Sequence, residues 1–235
     1  MRRALVLVAL AGAVVLAAGA GEAGATGECR GLRVCVPIAG PWVVLPHGSR
    51  VPRATVEYQL SCPRRFVVGG LDAELSDRAV EVAFLGTLGS PVNPGITTAR
   101  AVVFAGRYVG SSGRTTSFRP YIGCIPATGG GRRVPTSASR VYPPGRPTIR
   151  RVRTVRLKPG GLRVEQGCAA GERLVAASHA VAFYTSAPPS QGLAASVTAR
   201  RAVRNGRIVV SGHTGALTRG VHAELQVSAV CAGGE

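Results

Sequence analysis

Few side chains in this sequence are placed to do acid–base or metal chemistry. The histidines are His47, His179, His213 and His222, and the only two aspartates are Asp72 and Asp77. Asp72, Glu74, Asp77 and Glu81 form one acidic run. Asp72 and Glu74 fall on one face of a strand, with Asp77 in the turn after it. Several converging oxygens would suit Ca²⁺. The plainer reading is a solvated acidic face paired with Arg64, Arg65 or Arg78. His179 shares strand parity with Val175, Val181 and Phe183, as a hydrogen-bonded core histidine would. His222 and Glu224 sit two residues apart with outward parity, either an exposed strand pair or the start of a general-base or metal site. A hydrolase would have to gather His179, His222 and Glu224. Gly129, Gly130 and Gly131 before Arg132 and Arg133 could cradle an anion. A glycine run of this kind is more simply a linker. No G-x-S-x-G elbow, H-E-x-x-H helix or phosphate loop occurs. The sequence therefore offers no motif for catalysis, a metal or a cofactor.

The elements that must position these groups are strands. No segment sustains a 3.6-residue apolar stripe, whereas runs of period-2 alternation recur throughout. Alternation runs into four of the six cysteines. Ala54, Val56, Tyr58 and Leu60 share parity with Cys62, and Phe118, Pro120 and Ile122 with Cys124. Leu162, Val164 and Gln166 share it with Cys168. Val221, Ala223, Leu225, Val227 and Ala229 share it with Cys231, leaving His222, Glu224, Gln226 and Ser228 opposite. The spans from Cys62 to Cys124 and from Cys168 to Cys231 are 62 and 63 residues. Cysteines on the core faces of opposed sheets can bridge a sandwich, and closing such a loop is worth about 4 kcal/mol. Six cysteines allow fifteen connectivities. Parity and spacing favour Cys62–Cys124 and Cys168–Cys231, with Cys29–Cys35 as a local bridge.

These observations give an all-β fold class: two tandem antiparallel β-sandwich domains of Ig-like architecture, each with an internal disulfide. The Trp expected between the cysteines of an immunoglobulin domain is absent. Pro41–Cys62 and Val152–Cys168 both read strand, Pro/Gly turn, strand into cysteine. Thr98-Ala99-Arg100 recurs as Thr198-Ala199-Arg200. Residues 1–25 read as a signal peptide, with Arg2 and Arg3 before an apolar run and A-x-A sites ending at Ala20 and Ala25. Residues 26–126 form domain one, 127–147 a Gly/Pro/Arg-rich linker, and 148–235 domain two. Loops at 86–98 and 186–192 occupy corresponding places. No later stretch is long enough to span a bilayer, so the expectation is a protein secreted or held in the cell envelope, where disulfides persist.

The formal charge is +18, and removing the leader leaves +16 or +17 depending on whether Glu22 goes with Arg2 and Arg3. Lys158 is the sole lysine, and residues 82–164 contain no acid at all. Such a surface attracts polyanions. The candidate binding residues are Arg132, Arg133, Arg140, Arg146, Arg150, Arg151 and Arg153. With five Phe, five Tyr and one Trp, none interleaved with the arginines, a nucleic-acid reader is not expected. The resulting expectation is a non-enzymatic exported protein that binds an anionic cell-wall polymer or polysaccharide, or a protein partner. The alternatives are a secreted hydrolase and an inhibitor of an external enzyme that presents the 86–98 loop.

Overall fold

A computed structural model describes residues 26–46, 54–86, 100–111, 113–127 and 148–233. The leader, His47, the interior of the 86–98 loop, and 128–147 with its glycines and Arg132, Arg133, Arg140 and Arg146 lie outside these residues. The described chain is all-β, with thirteen strands. One large antiparallel sheet takes its strands from both halves of the sequence. Its first half contributes β1 (Val36–Ala39), β2 (Trp42–Leu45), β4 (Phe66–Leu75) and β7 (Thr116–Pro126). Its second half contributes β8 (Thr148–Arg156), β10 (Glu172–Tyr184) and β13 (His222–Gly233). β4 lines one edge of β7, and β1 and β2 follow one another along the other. β2 then pairs β10, β10 pairs β13, and β13 pairs β8.

Two three-stranded sheets cover this plate. β3 (Val56–Ser61), β6 (Ala101–Tyr108) and β5 (Val80–Gly86) form one. β9 (Gly160–Gly167), β12 (Arg207–Thr214) and β11 (Val197–Arg204) form the other. Opposed residues in a ladder share a face, so register tells which side each cover occupies. Val43, Phe118 and Ala182 share the first face, and they pack with Val56, Tyr58 and Phe104. Val44, Phe183, Leu225 and Val227 lie on the second face, and they pack with Val164, Ile208 and Val210. The two covers therefore sit on opposite sides of one shared plate.

The halves match strand for strand. Each contributes three positions to the plate in one order, β4, β7, β1/β2 and then β10, β13, β8. Val36 lies opposite Cys124 as Ile149 lies opposite Cys231, and Val43 lies opposite Phe118 as Val155 lies opposite Leu225. β1 and β2 are thus the interrupted counterpart of β8, broken at Gly40-Pro41, since proline cannot donate to a ladder. A bulge follows the residue opposite the cystine in both halves, between Val68 and Gly70 and between Leu174 and Ala176. Of the first Thr-Ala-Arg tripeptide only Arg100 is among the described residues, and it does not correspond to Arg200. Arg100 precedes β6, whereas Arg200 lies in β11, the counterpart of β5.

Three disulfides join Cys29 to Cys35, Cys62 to Cys124, and Cys168 to Cys231. The latter two each tie a cover to the plate, on opposite faces. The N-terminal turn lies across β4 and β7, where Gly70 and Gly123 face each other. A Cβ on either glycine would fall 1.8 or 2.2 Å from the Glu28 carbonyl oxygen, so only glycine fits.

Trp42 is the single tryptophan and is buried opposite Phe183, where the halves meet. Its fluorescence therefore reports on that junction. During urea unfolding, the fluorescence and far-UV circular dichroism transitions should coincide, as one cooperative plate requires. Separate transitions would mark independent domains.

Candidate functional site

Two polar constellations stand out, one between the halves and one on an outer face. The first arises because β3 lies across the first face of β10 and β13. The row on β13 expected to face solvent is buried there: Glu224, Gln226 and Ser228 are at most 6% exposed. The Gln226 carboxamide accepts from the Gln59 N–H at 2.6 Å and donates to the Gln59 carbonyl at 3.0 Å. It thereby satisfies the free edge of β3 as a neighbouring peptide group would. Tyr58 donates its hydroxyl to the Glu224 carboxylate. Arg150 donates to Glu57 at 2.6 Å and to Ser228 at 2.9 Å, and Ser178 donates to the same Glu57 oxygen at 3.1 Å. Isolated charges are costly to bury, and each of these has at least one partner, although the buried Arg150 Nε has none among the described residues.

Burial and the neighbouring Glu224 carboxylate push the Tyr58 hydroxyl well above its ordinary pKa. Burial and the same carboxylate raise Tyr184, and a hydrogen bond with Tyr58 partly offsets this. His222 is exposed and stacks on the Tyr184 ring at 4.4 Å between centroids. His179 lies opposite Val227 and so on the second face, whereas Glu224 and His222 occupy the first. The plate separates the three residues that a hydrolase reading would gather. Burial and the positive charge of Arg201 lower the His179 pKa, as befits a neutral histidine in the wall of the core.

The acidic run disperses as well. Asp72 accepts from the Gly27 and Ala73 N–H groups, Glu74 from the Tyr121 hydroxyl, Asp77 from the Ala79 N–H, and Glu81 pairs with Arg107. Burial and the Glu74 hydrogen bond push Tyr121 up to about 12. Each carboxylate has its own partner, so these four do not form a Ca²⁺ cage. Among the described residues, ligating side chains gather only at Cys168, Glu172 and Cys231, where both sulfurs are held in a disulfide.

The three described candidate arginines of β8 have different fates. The Arg150 side chain is 6% exposed and held by Glu57, so a polymer cannot reach it. Arg151 forms a two-point pair with Glu172 at 2.9 and 2.5 Å. That pairing, helped by the Ala169 N–H, holds the Glu172 carboxyl below the usual range. Arg153 remains exposed, its guanidinium on the Glu165 carbonyl oxygen at 3.3 Å.

The second constellation was not singled out from the sequence: the outer face of β9, β12 and β11. The turn Asn205-Gly206, with φ of +48° and +69°, joins β11 to β12. Asn-Gly suits a two-residue hairpin whose residues both need positive φ. It sets Arg204 directly opposite Arg207. Further along the same face, Ser211 lies between Arg200 and Arg163. All four arginines are exposed. Glu165 is the sole carboxylate on this face, 2.6 Å from Arg163 and 3.9 Å from Arg207. Among the described residues, Arg200 and Arg204 form no ion pair. Alternation in β11 and β12 carried the signal, since Val197 and Ala199 turn inward with Ile208 and Val210.

Tyr58 sets a pH dependence. Its folded pKa lies above the unfolded value of about 10, so its contribution is complete below that pH and is lost as pH rises. Tyr58→Phe should cost about 1–3 kcal/mol near neutrality by leaving the buried carboxylate short of a donor. Urea titrations at pH 8 and pH 11 should show the wild-type advantage shrinking at the higher pH. An advantage independent of pH would contradict this account.

No helix among the described residues is long and apolar enough to cross a membrane. Comparisons with protein-family models, with curated proteins and with solved structures gave no match.

Proposed function

We propose that this chain is an exported, non-enzymatic binding protein built from a duplicated, disulfide-braced β-sandwich unit. It holds anionic polymer on the outer face of β9, β12 and β11. The observation that carries this reading is the placement of Arg204 opposite Arg207. Like charges directly opposed across a ladder are destabilising, so stability gives no reason to put them there. Arg163 and Arg200 extend the same flat face, against the single carboxylate of Glu165. Guanidinium groups match sulfate, phosphate and carboxylate oxygens in pairs of hydrogen bonds. Three disulfides fit an oxidising compartment. The matching strand order, registers and bulges of the two halves support the duplication. The separation of His179 from His222 and Glu224 counts against the hydrolase reading.

The protein should bind immobilised heparin and elute with salt. Its binding constant should fall log-linearly with salt concentration, as counterion release requires. Arg200→Ser, Arg204→Ser and Arg207→Ser should together lower that slope by about three, roughly one per arginine, with an unchanged melting curve. A phosphodiester polymer on a parallel column separates phosphate preference from sulfate preference. Retention indifferent to salt, or a triple variant that elutes with the wild type, would refute the assignment.

A further inference from the structure

We infer that the outward edge of β8 is a strand-addition site for an extended, acidic peptide segment of a partner protein. The argument starts from the equivalence of β8 and β2. Val43 of β2 and Val155 of β8 hold matching positions, opposite Phe118 and Leu225. On β2, Val43 and its neighbour Trp42 receive another strand, pairing with Ala182 and Phe183 of β10. On β8, the matching Val155 and Thr154 receive none among the described residues, and β8 ends the plate.

Among the described residues, no strand pairs with the backbone of that edge. The Leu157 N–H donates to the Ala223 carbonyl at 2.8 Å. Bonded residues alternate along an antiparallel ladder. Residues 149, 151, 153 and 155 therefore face β13, and Arg150, Val152, Thr154 and Arg156 turn their peptide groups outward. The opposite edge of the plate differs. β4 is bulged, and the Asp72 carboxylate takes up the Ala73 N–H at 2.7 Å. Bulges and local capping of this kind close an edge, and β8 has neither.

Charge selects the occupant. β8 reads Thr-Ile-Arg-Arg-Val-Arg-Thr-Val-Arg, without a carboxylate. Arg153 and Arg156 are exposed, on opposite faces of the strand. Two β8 strands laid edge to edge would oppose arginine to arginine. A strand carrying Asp or Glu on both faces would form charge pairs as well as the ladder, with an apolar residue against the partly exposed Ile149. The β4 strand of a second copy does not suit. The joining residues of β10 lie one and two places beyond Val181, the counterpart of Leu75, and β4 ends at Leu75. Main-chain pairing would supply affinity and the arginines specificity, as in other strand-addition complexes.

The test uses the whole protein and three short synthetic peptides: alternating valine and glutamate, alternating valine and lysine, and the acidic peptide N-methylated on alternate amides. The acidic peptide should bind, with slowed amide exchange at Val152 and Thr154. The lysine peptide should not bind, and N-methylation should weaken binding at least about tenfold. Arg153→Glu with Arg156→Glu should cause a similar loss without shifting the melting curve, since both side chains are exposed. Equal binding of the methylated peptide would reduce the contact to charge alone and overturn strand addition. Failure of the acidic peptide to bind would overturn it outright. Self-association that the acidic peptide displaces would give the edge to a second copy and refute the external partner.

Discussion

The seam where β2 meets β10 is the constraint on which the architecture depends. Two residue pairs, Val43 with Ala182 and Trp42 with Phe183, turn two three-position sheets into one plate. So short a ladder would be weak on its own. It is reinforced from above by β3, whose exposed edge is answered by the Gln226 carboxamide and whose side chains reach Glu224, Arg150 and Ser178. Polar groups otherwise costly to bury thus set the position of one half on the other. A shift of one residue would turn every side chain in the ladder to the wrong face and break each of these bonds.

Much of this was legible in the chain. Parity around Cys62, Cys124, Cys168 and Cys231 identified the core-facing sets, and the bridges join those positions. The leader and the linker remain readings of sequence alone. The relation between the halves was not legible. Alternation shows which side of a strand is apolar, but a strand buried on both sides can carry a polar row that reads as solvent-facing. Glu224, Gln226 and Ser228 are such a row: β3 covers them, and nothing within β13 announces it. The same ambiguity misplaces Arg150, which looks like one of several surface cations and is instead the buried partner of Glu57.

Function was less legible than fold, for a related reason. Charge density along the sequence pointed to 132–153, because that stretch lacks acids. Charge density in space depends on which residues share a sheet face and which carboxylates lie within reach. Arg150 and Arg151 are neutralised by glutamates distant in sequence, Glu57 and Glu172. Arg200, Arg204 and Arg207 come from a stretch as rich in arginine, and a tight turn and a common parity bring them onto one face.

The alternation of covers from side to side has a geometric consequence. Each half advances the plate by three positions while reversing both strand direction and face, an operation of the kind that generates a fibre and does not close on itself. The operation itself sets no limit on the number of units. Termination falls to the outermost strands, one sealed by its own aspartate and a kink in its backbone, the other without a neighbouring strand among the described residues.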